Sequence, residues 1–439
     1  MASDGDTRRS TADSDRHHQD ARSVFPGGVS HNVRYASPHP IYIDAAEGAT
    51  VTDVDGNTYV DFWNNHGASL LGHAHPDVVE AVQTQAANGL HYGALNEAAL
   101  ELGQRIQSFV PSAERVRFCA SGTEATMYAV RLARAATGRD RVMKARGGWH
   151  GGNTDLSVGV YPPFDAPTTD GLPPGPADHV DLFDVNDADS VAEQLERHGE
   201  DVAALIIDPR RGGTEPTDEF LSFLEDMRET YGFQLLFDEV VTGFRVSPGS
   251  YQARVDITPD LTTLGKIPGG GLPIGALAGR ADLFDPARPD IDVPADERVL
   301  AGGGTFTMNP MTAVAGNTTL GIIDTEPVYD HTEGLAADLR AGLADVFADA
   351  GIDAEVLGLS SLVTVGFNPT GPLTSPAAVK ANTDSDALKA FHRRLLDHGY
   401  YFNPGSMGNV SYAHTREHID GLIDAASSVV ASMQADGLV

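Results

Sequence analysis

The chain has 439 residues, a formal net charge of −32 at pH 7 and one cysteine, Cys119. A chain of this length can bury a large core and suggests two or three structural units. The acidic excess argues against nucleic acid and anionic membranes as partners, because both carry the same sign of charge. A single cysteine cannot form an internal disulfide, which is consistent with a reducing compartment.

The first 22 residues are polar and lack the apolar core of a secretion signal, so we expect them to be disordered or loosely helical. The pair His17 and His18 has no second ligand cluster near it in the sequence, and we expect no metal site there. No apolar run is long enough to span a bilayer. With acidic residues throughout and few lysines, the composition predicts a soluble cytoplasmic protein that works in high salt, as in a halophile.

Three segments in the first third of the chain have clear local patterns. Between residues 41 and 62, apolar and polar residues alternate on both sides of Asp55-Gly56, which predicts a β-hairpin. A helix is predicted from about Pro76 onward. Further along, an apolar strand is predicted to end at Ala120, and apolar residues with helical spacing follow to about Ala136.

The turn between that predicted strand and helix is Ser121-Gly122-Thr123. Backbone N–H groups and the dipole at a helix N-terminus, together with two hydroxyl groups, form an anion site suited to a phosphate. The alternative is an ordinary serine or threonine cap, which these residue types often provide.

Two charged residues stand in apolar or glycine-rich surroundings. Asp238 follows the apolar run at 233–237, which predicts a buried strand whose carboxyl end presents the carboxylate. Lys266 stands between Gly265 and the glycines at 269–271, in a chain with only three other lysines. An amine and a carboxylate are the two groups that pyridoxal phosphate needs, one for a Schiff base and one to keep its pyridine nitrogen protonated. Taken singly, the two residues are more readily explained as a buried aspartate that caps a helix and a surface lysine.

The segments FDEVVTGFRV and PDLTTLGKIPGGGLPIGALAGR resemble the class III aminotransferases, most closely the branch that contains the glutamate-1-semialdehyde aminomutases. The resemblance implies an α/β protein with the type I fold of pyridoxal-phosphate-dependent transferases, which joins a large domain with a mostly parallel sheet to a smaller α/β domain. It divides the chain into a loosely ordered N-terminus at 1–22, a segment at 23–75 that joins the small domain, a large cofactor domain at 76–325 and a small domain at 326–439.

The resemblance also implies roles around the cofactor. Lys266 and Asp238 are the catalytic pair, and Lys266 also moves a proton between the substrate and the cofactor. The implied cofactor-binding residues are Ser121, Gly122 and Thr123 at the phosphate, Trp149 and Val240 on the two ring faces, and Thr305 at the phosphate of the neighbouring subunit. Because the role implied for Thr305 makes each active site depend on two chains, a homodimer with active sites at its interface is expected.

Among the candidate substrate-binding residues, some match the usual pattern of the aminomutase branch and others depart from it. Arg34 matches a residue that can hold a carboxylate, whereas His31 stands where a small hydroxyl residue is usual and His66 where the aminomutases carry tryptophan. Arg210 could bind a second carboxylate or pair with surface acids. No metal is implied.

These departures favour transfer of an amino group between a small-molecule donor and a 2-oxo acid acceptor over an aminomutase reaction within one molecule. A catalytically silent homologue that acts as a binding protein is a third alternative, since fold does not imply function. The presence of both Lys266 and Asp238 argues against that alternative.

Overall fold

The computed structural model describes residues 9–165, 169–173, 175–209, 213–294 and 297–439. The chain divides into two compact units. The central unit consists of Pro76–Pro327 and a return segment, Gly371–Ala381. The terminal unit consists of the described residues up to His75, of Val328–Thr370 and of Asn382–Val439. Among the residues that the structure describes, no helix combines the length and the apolar character needed to cross a bilayer.

The helices of the described residues, in chain order, are α1 (Ala12–Ala21), α2 (Asn64–Gly67), α3 (Pro76–Asn88), α4 (Glu97–Phe109), α5 (Gly122–Thr137), α6 (Ala188–His198), α7 (Asp218–Tyr231), α8 (Ser250–Val255), α9 (Pro310–Thr325), α10 (Val328–Ala350), α11 (Pro376–Asn382), α12 (Ser385–Asp397) and α13 (Arg416–Ala435). The strands are β1 (Ile43–Glu47), β2 (Thr50–Asp53), β3 (Thr58–Asp61), β4 (Arg115–Cys119), β5 (Arg141–Ala145), β6 (Val180–Phe183), β7 (Val202–Ile207), β8 (Gln234–Asp238), β9 (Leu261–Gly265), β10 (Gly275–Gly279), β11 (Ala354–Leu357), β12 (Leu362–Phe367), β13 (Tyr400–Tyr401) and β14 (Gly408–Asn409).

Within the described residues, the central unit contains a seven-stranded sheet in the order β4-β10-β9-β8-β7-β5-β6. The neighbours from β9 to β6 are parallel, whereas β10 runs antiparallel to both β4 and β9. Every residue of β7 is buried, as expected for a parallel strand that is covered on both faces. The prediction of an α/β fold with a large, mostly parallel sheet is therefore confirmed.

Helix α5 packs against this sheet, and this packing fixes the position of the N-terminus of the helix. Its buried residues Ala129 and Leu132 belong to one apolar cluster with Ile206 of β7 and Leu236 of β8. The helix starts three residues after the end of β4 and ends at Thr137, and the next residue, Gly138, takes the left-handed conformation of a C-cap with φ of 67°. The predicted strand, tight turn and helix are all present.

The terminal unit has two small sheets, with strand orders β1-β2-β3-β13 and β11-β12-β14 in the part of the chain that is described. Strands β2 and β3 are antiparallel, with Thr52 opposite Thr58, so the hairpin predicted around Asp55-Gly56 is confirmed. The Asp53 carboxylate accepts hydrogen bonds from the N–H groups of Asp55 and Asn57, which stabilises the turn. Buried aromatic and aliphatic residues of α10, α12, α13 and β12 form the core of this unit.

In the N-terminal segment, which was expected to be disordered or loosely helical, residues 12–21 form helix α1. The Asp55 carboxylate accepts hydrogen bonds from the N–H groups of Asp13 and Ser14, at 2.7 and 3.0 Å, and from the Ser14 hydroxyl. These contacts satisfy N–H groups of the first helical turn, and the negative charge stabilises the positive end of the helix. The anchoring residue lies 41 residues away from Ser14, so local composition could not indicate it.

Candidate active site

Asp238 is the last residue of β8, and its carboxylate is buried. His150 Nδ1 lies 2.7 Å from Oδ2, while Thr263 Oγ1 and the Val240 N–H donate to Oδ1 at 2.9 and 3.2 Å. Burial acts to raise the pKa of Asp238, but the hydrogen bond and charge of His150, helped by the other two donors, hold that pKa below its usual value. The carboxylate is therefore ionised at neutral pH.

His150 has no role assigned by the sequence, and the structure makes it the partner of Asp238. Its side chain is fully buried, and its Nε2 atom has no hydrogen-bond partner among the described residues. Thr126 Oγ1 donates to the His150 carbonyl at 2.7 Å, which ties this residue to α5. A buried nitrogen without a partner, beside a buried carboxylate, is typical of a place arranged for chemistry rather than for packing. The one sequence signal was its position next to Trp149.

Lys266 follows β9 directly and is half-buried. Strands β8 and β9 are parallel neighbours, and Asp238 pairs with Thr263 in their register. Both predicted catalytic residues therefore emerge at the same carboxyl edge of the sheet, where open α/β sheets bind ligands. The Lys266 backbone has φ of 60° and ψ of −97°, a conformation that residues with a Cβ rarely adopt.

The predicted phosphate turn lies at the N-terminus of α5. Ser121 Oγ accepts a hydrogen bond from the Glu124 N–H at 3.2 Å, so this serine acts as a helix cap. Gly122 and Thr123 are the first helical residues, and the N–H groups at such positions have no acceptor within the helix. These donors and the positive end of the helix dipole suit a phosphate. A Cβ added to Gly122 would lie 2.8 Å from Val240 Cγ2, so the turn and Val240 pack closely together.

Trp149 presents its indole at the surface of the central unit, with 42% of the residue exposed. The chain then passes close to the phosphate turn, since a Cβ added to Gly151 would collide with Thr123, and the Gly152 N–H donates to Thr123 Oγ1 at 3.4 Å. The structure therefore brings the segment of Trp149 and His150 beside both the phosphate turn and Asp238. An exposed aromatic face at this place can stack on a flat heterocycle.

The arrangement fits pyridoxal phosphate. The N-terminus of α5 offers N–H groups for the phosphate, and the ionised Asp238 offers a partner for a protonated pyridine nitrogen. Trp149 and Val240 offer an aromatic and an aliphatic surface for the two ring faces, and Lys266 offers a primary amine for the aldehyde.

Glu239 is a second buried carboxyl group at this edge, and the sequence analysis assigned it no role. It accepts hydrogen bonds from the Tyr251 N–H, from the N–H and Nε2 of Gln252 and from Thr242 Oγ1. Burial raises its pKa to about 7, although these hydrogen bonds act in the opposite direction. Glu239 ties the turn after β8 to helix α8 and so holds the chain that follows Asp238 in place.

Thr305 lies in the connection between β10 and α9 and is exposed. Its neighbour Phe306 is 68% exposed, and the ring of Phe306 lies 5.5 Å from that of His91 between centroids. The connection before α4 also exposes large apolar side chains. These four exposed side chains, Leu90, Tyr92, Leu95 and Phe306, are called the apolar patch below.

The predicted substrate residues Arg34 and His31 belong to the terminal unit. Arg34 is exposed, and its Nη1 donates to Ser30 Oγ at 2.9 Å. Within the described ranges the Arg34 guanidinium takes part in no ion pair. His31 Nδ1 accepts a hydrogen bond from the Val33 N–H at 3.2 Å, which shapes the turn before Arg34. A guanidinium with unused donors suits recognition of a carboxylate.

His66 also belongs to the terminal unit and is exposed. Its backbone has φ of 59°, and its ring stacks on that of Trp63 with 4.5 Å between centroids. The prediction for Arg210 lies outside the described residues.

A sequence model of the family described as Aminotransferase class-III matches residues 31–414, which is most of the chain. The chain belongs to the class III aminotransferases. The predicted family and fold type are thus confirmed, and this class III aminotransferase is a pyridoxal-phosphate-dependent enzyme, as predicted.

Relatives of this class III aminotransferase include proteins of both reaction types. It is 39% identical to a glutamate-1-semialdehyde 2,1-aminomutase from Methanothermobacter thermautotrophicus, over 94% of this chain and 98% of the relative. A crystal structure of an omega-transaminase from Sphaerobacter thermophilus has a TM-score of 0.88 and 32% identity, over 96% of this chain and 98% of that one. A structure described as a transaminase with PLP bound has a TM-score of 0.89 and 30% identity, over 98% of this chain and 100% of that one.

Proposed function

We propose that this class III aminotransferase moves an amino group between two molecules, from an amino acid or amine to a 2-oxo acid. The observation that carries this proposal is His66, an exposed imidazole at a position where the aminomutases usually have tryptophan. An aminomutase must retain its intermediate, whereas a transaminase must release one product before the second substrate enters. A small, exposed polar ring suits this exchange better than a large apolar one.

Arg34 is the proposed partner of a substrate carboxylate. Its side chain is exposed and belongs to no ion pair within the described residues, so its planar fork remains available for two parallel hydrogen bonds. His31 shapes the turn that presents Arg34. The proposed substrates are therefore small molecules with a carboxylate, and the acceptor is a 2-oxo acid.

The proposed catalytic groups act around a cofactor that, when bound, supplies an electron sink for the carbon bearing the amino group. The Lys266 amine removes a proton from that carbon and returns a proton to the product. Asp238, kept ionised by His150, stabilises positive charge on the pyridine nitrogen. Ser121, Gly122 and Thr123 bind the phosphate at the start of α5, while Trp149 and Val240 orient the ring.

A homodimer is the proposed working form. The apolar patch has four large apolar side chains exposed to solvent, and Thr305 stands next to one of its members, Phe306. If a second copy of the chain covers this patch, Thr305 of the first copy would lie near the cofactor phosphate of the second. A net charge of −32 on each chain opposes such association unless salt screens it, which supports a cytoplasm of high ionic strength as the working environment.

The second candidate is a glutamate-1-semialdehyde 2,1-aminomutase that makes 5-aminolevulinate for tetrapyrrole synthesis. One observation favours it, because the protein from Methanothermobacter thermautotrophicus that is 39% identical carries that name. The cofactor-side residues serve either reaction, so the two candidates differ only in how the substrate side handles the intermediate.

Reaction stoichiometry distinguishes the two candidates. Purified enzyme is supplied with candidate amino donors together with pyruvate or 2-oxoglutarate, and formation of the new amino acid is followed by chromatography. We expect one product amino acid for each donor consumed. If no donor and acceptor pair reacts, while glutamate-1-semialdehyde alone is converted to 5-aminolevulinate, the transaminase proposal is wrong and the aminomutase takes its place.

A further inference from the structure

Lys144 is a completely buried lysine of the central sheet, on the strand next to the edge strand β6. It belongs to β5, and none of its surface is exposed. Its Nζ atom donates to the carbonyl oxygens of Gly148, Leu156 and Val158 at 3.2, 2.8 and 2.7 Å. Burying an ammonium group is costly unless hydrogen bonds replace its water shell, and three carbonyl oxygens match its three N–H donors. The free-energy cost of burying this ammonium group indicates that Lys144 serves to hold these carbonyl groups in place.

Lys380 binds the same stretch of chain as Lys144. It belongs to α11 and to the return segment of the central unit. Its Nζ donates to the carbonyl oxygens of Gly147 and Val160 at 2.9 and 2.6 Å and lies 4.3 Å from the centre of the Tyr161 ring. Two of the four lysines in the chain therefore bind backbone carbonyls between residues 147 and 160.

Residues 146–161, called the tryptophan loop below, carry Trp149 and His150 and contain no helix or strand. A stretch without regular structure leaves backbone carbonyl groups that need partners from elsewhere. A compact ammonium can accept several converging carbonyl oxygens, whereas the flat fork of arginine suits a planar anion. This difference between ammonium and guanidinium groups explains why positions 144 and 380 are lysine in a chain whose basic residues are mostly arginine.

We propose that Lys144 and Lys380 are positioning residues for the cofactor site. Their ammonium groups bind the carbonyl oxygens of the tryptophan loop. These contacts fix the orientation of the Trp149 indole and the hydrogen bond from His150 to Asp238, at 2.7 Å. Neither lysine enters the chemistry, and each acts only through the loop.

The first test compares Lys144→Met and Lys380→Met with the control Lys389→Met. Lys389 is an exposed lysine on α12 whose Nζ pairs with Asp386, so its loss removes one positive charge without touching the loop. Backbone hydrogen exchange is measured by mass spectrometry on the full chain, with and without pyridoxal phosphate, and cofactor release is followed by absorbance.

We expect exchange within the tryptophan loop to become roughly 10-fold faster or more in both test variants, since each loses hydrogen bonds from a charged donor. Cofactor release should accelerate by a similar factor, and the Lys389→Met control should match the wild type. Faster exchange spread evenly over the central unit, or unchanged cofactor release from a loosened loop, would overturn the proposal. If Lys144→Met does not fold, the half-buried Lys380 decides the outcome by the same criteria.

The second test is chemical rescue, which a general loss of packing would not show. In Lys144→Ala the truncated side chain leaves a cavity lined by the same three carbonyl oxygens, which can bind a small ammonium ion. Ammonium chloride should restore slow exchange in the loop and slow cofactor release, whereas sodium chloride at the same ionic strength should not. Equal effects of the two salts would contradict a specific role of the ammonium group. Neither measurement uses a substrate, so the proposed transaminase reaction stands or falls separately.

Discussion

The conformation of Lys266 predicts a separation between activity and stability. With φ of 60° and ψ of −97°, this residue lies in the left-handed half of backbone space, where its Cβ is crowded. Lys266→Ala keeps the Cβ and removes the amine, whereas Lys266→Gly removes both. Each variant should lose nearly all turnover, but the two should differ in stability.

The size of the difference follows from the backbone. Relief of this kind of strain contributes roughly 1–3 kcal/mol to the folded state. Glycine also gives the unfolded chain more freedom, which costs about 0.4–1 kcal/mol. The free energy of unfolding should therefore be about 1 kcal/mol higher for Lys266→Gly than for Lys266→Ala.

Guanidinium unfolding of the cofactor-free variants, followed by circular dichroism at one salt concentration, measures this difference. The control pair is Lys389→Gly and Lys389→Ala on helix α12, where alanine should be the more stable by about 1 kcal/mol. A Lys266→Ala variant at least as stable as Lys266→Gly would refute the strain argument. Borohydride reduction of the wild type, followed by mass spectrometry, should place the cofactor on Lys266, and its recovery on Lys144, Lys380 or Lys389 would refute the catalytic assignment.

Three further outcomes are expected. His150→Ala should raise the pKa of Asp238. The ionised carboxylate contributes stability only above its pKa, so as acid is added the variant should lose this contribution at a higher pH than the wild type. The loss is followed as cofactor retention between pH 7 and 4. Burial lowers the pKa of His392 to about 3, so stability should fall as pH drops from 6.5 towards 3, and His392→Asn should remove about 1.4 kcal/mol per pH unit of that slope in acid unfolding curves. Thr305→Ala should speed cofactor loss on dialysis without dissociating a dimer in light scattering, and a fully active monomer of the wild type would contradict the dimer proposal.

Features with a local cause could be predicted from the sequence. The alternation around Asp55-Gly56 predicts a hairpin because one strand face is buried and the other is not. An apolar run followed by Asp238 predicts a buried strand that presents a carboxylate at its end, and Ser121-Gly122-Thr123 predicts the start of a helix. In each case the residues that define the pattern are adjacent in the chain, so the pattern and the structure coincide.

Contacts between groups that are distant in the chain could not be predicted from the sequence and are seen only in the folded protein. The partner of Asp238 is His150, 88 residues away, and the carbonyl oxygens that Lys380 binds are 220 and 233 residues away. Helix α1 likewise depends on Asp55, which the composition of the N-terminus cannot show. The reason is physical: a buried charge can be satisfied by any donor or acceptor that the fold brings within about 3 Å, and residue type does not specify which one arrives. Sequence therefore indicates which groups need partners, whereas the packing of the sheet and its connections selects those partners.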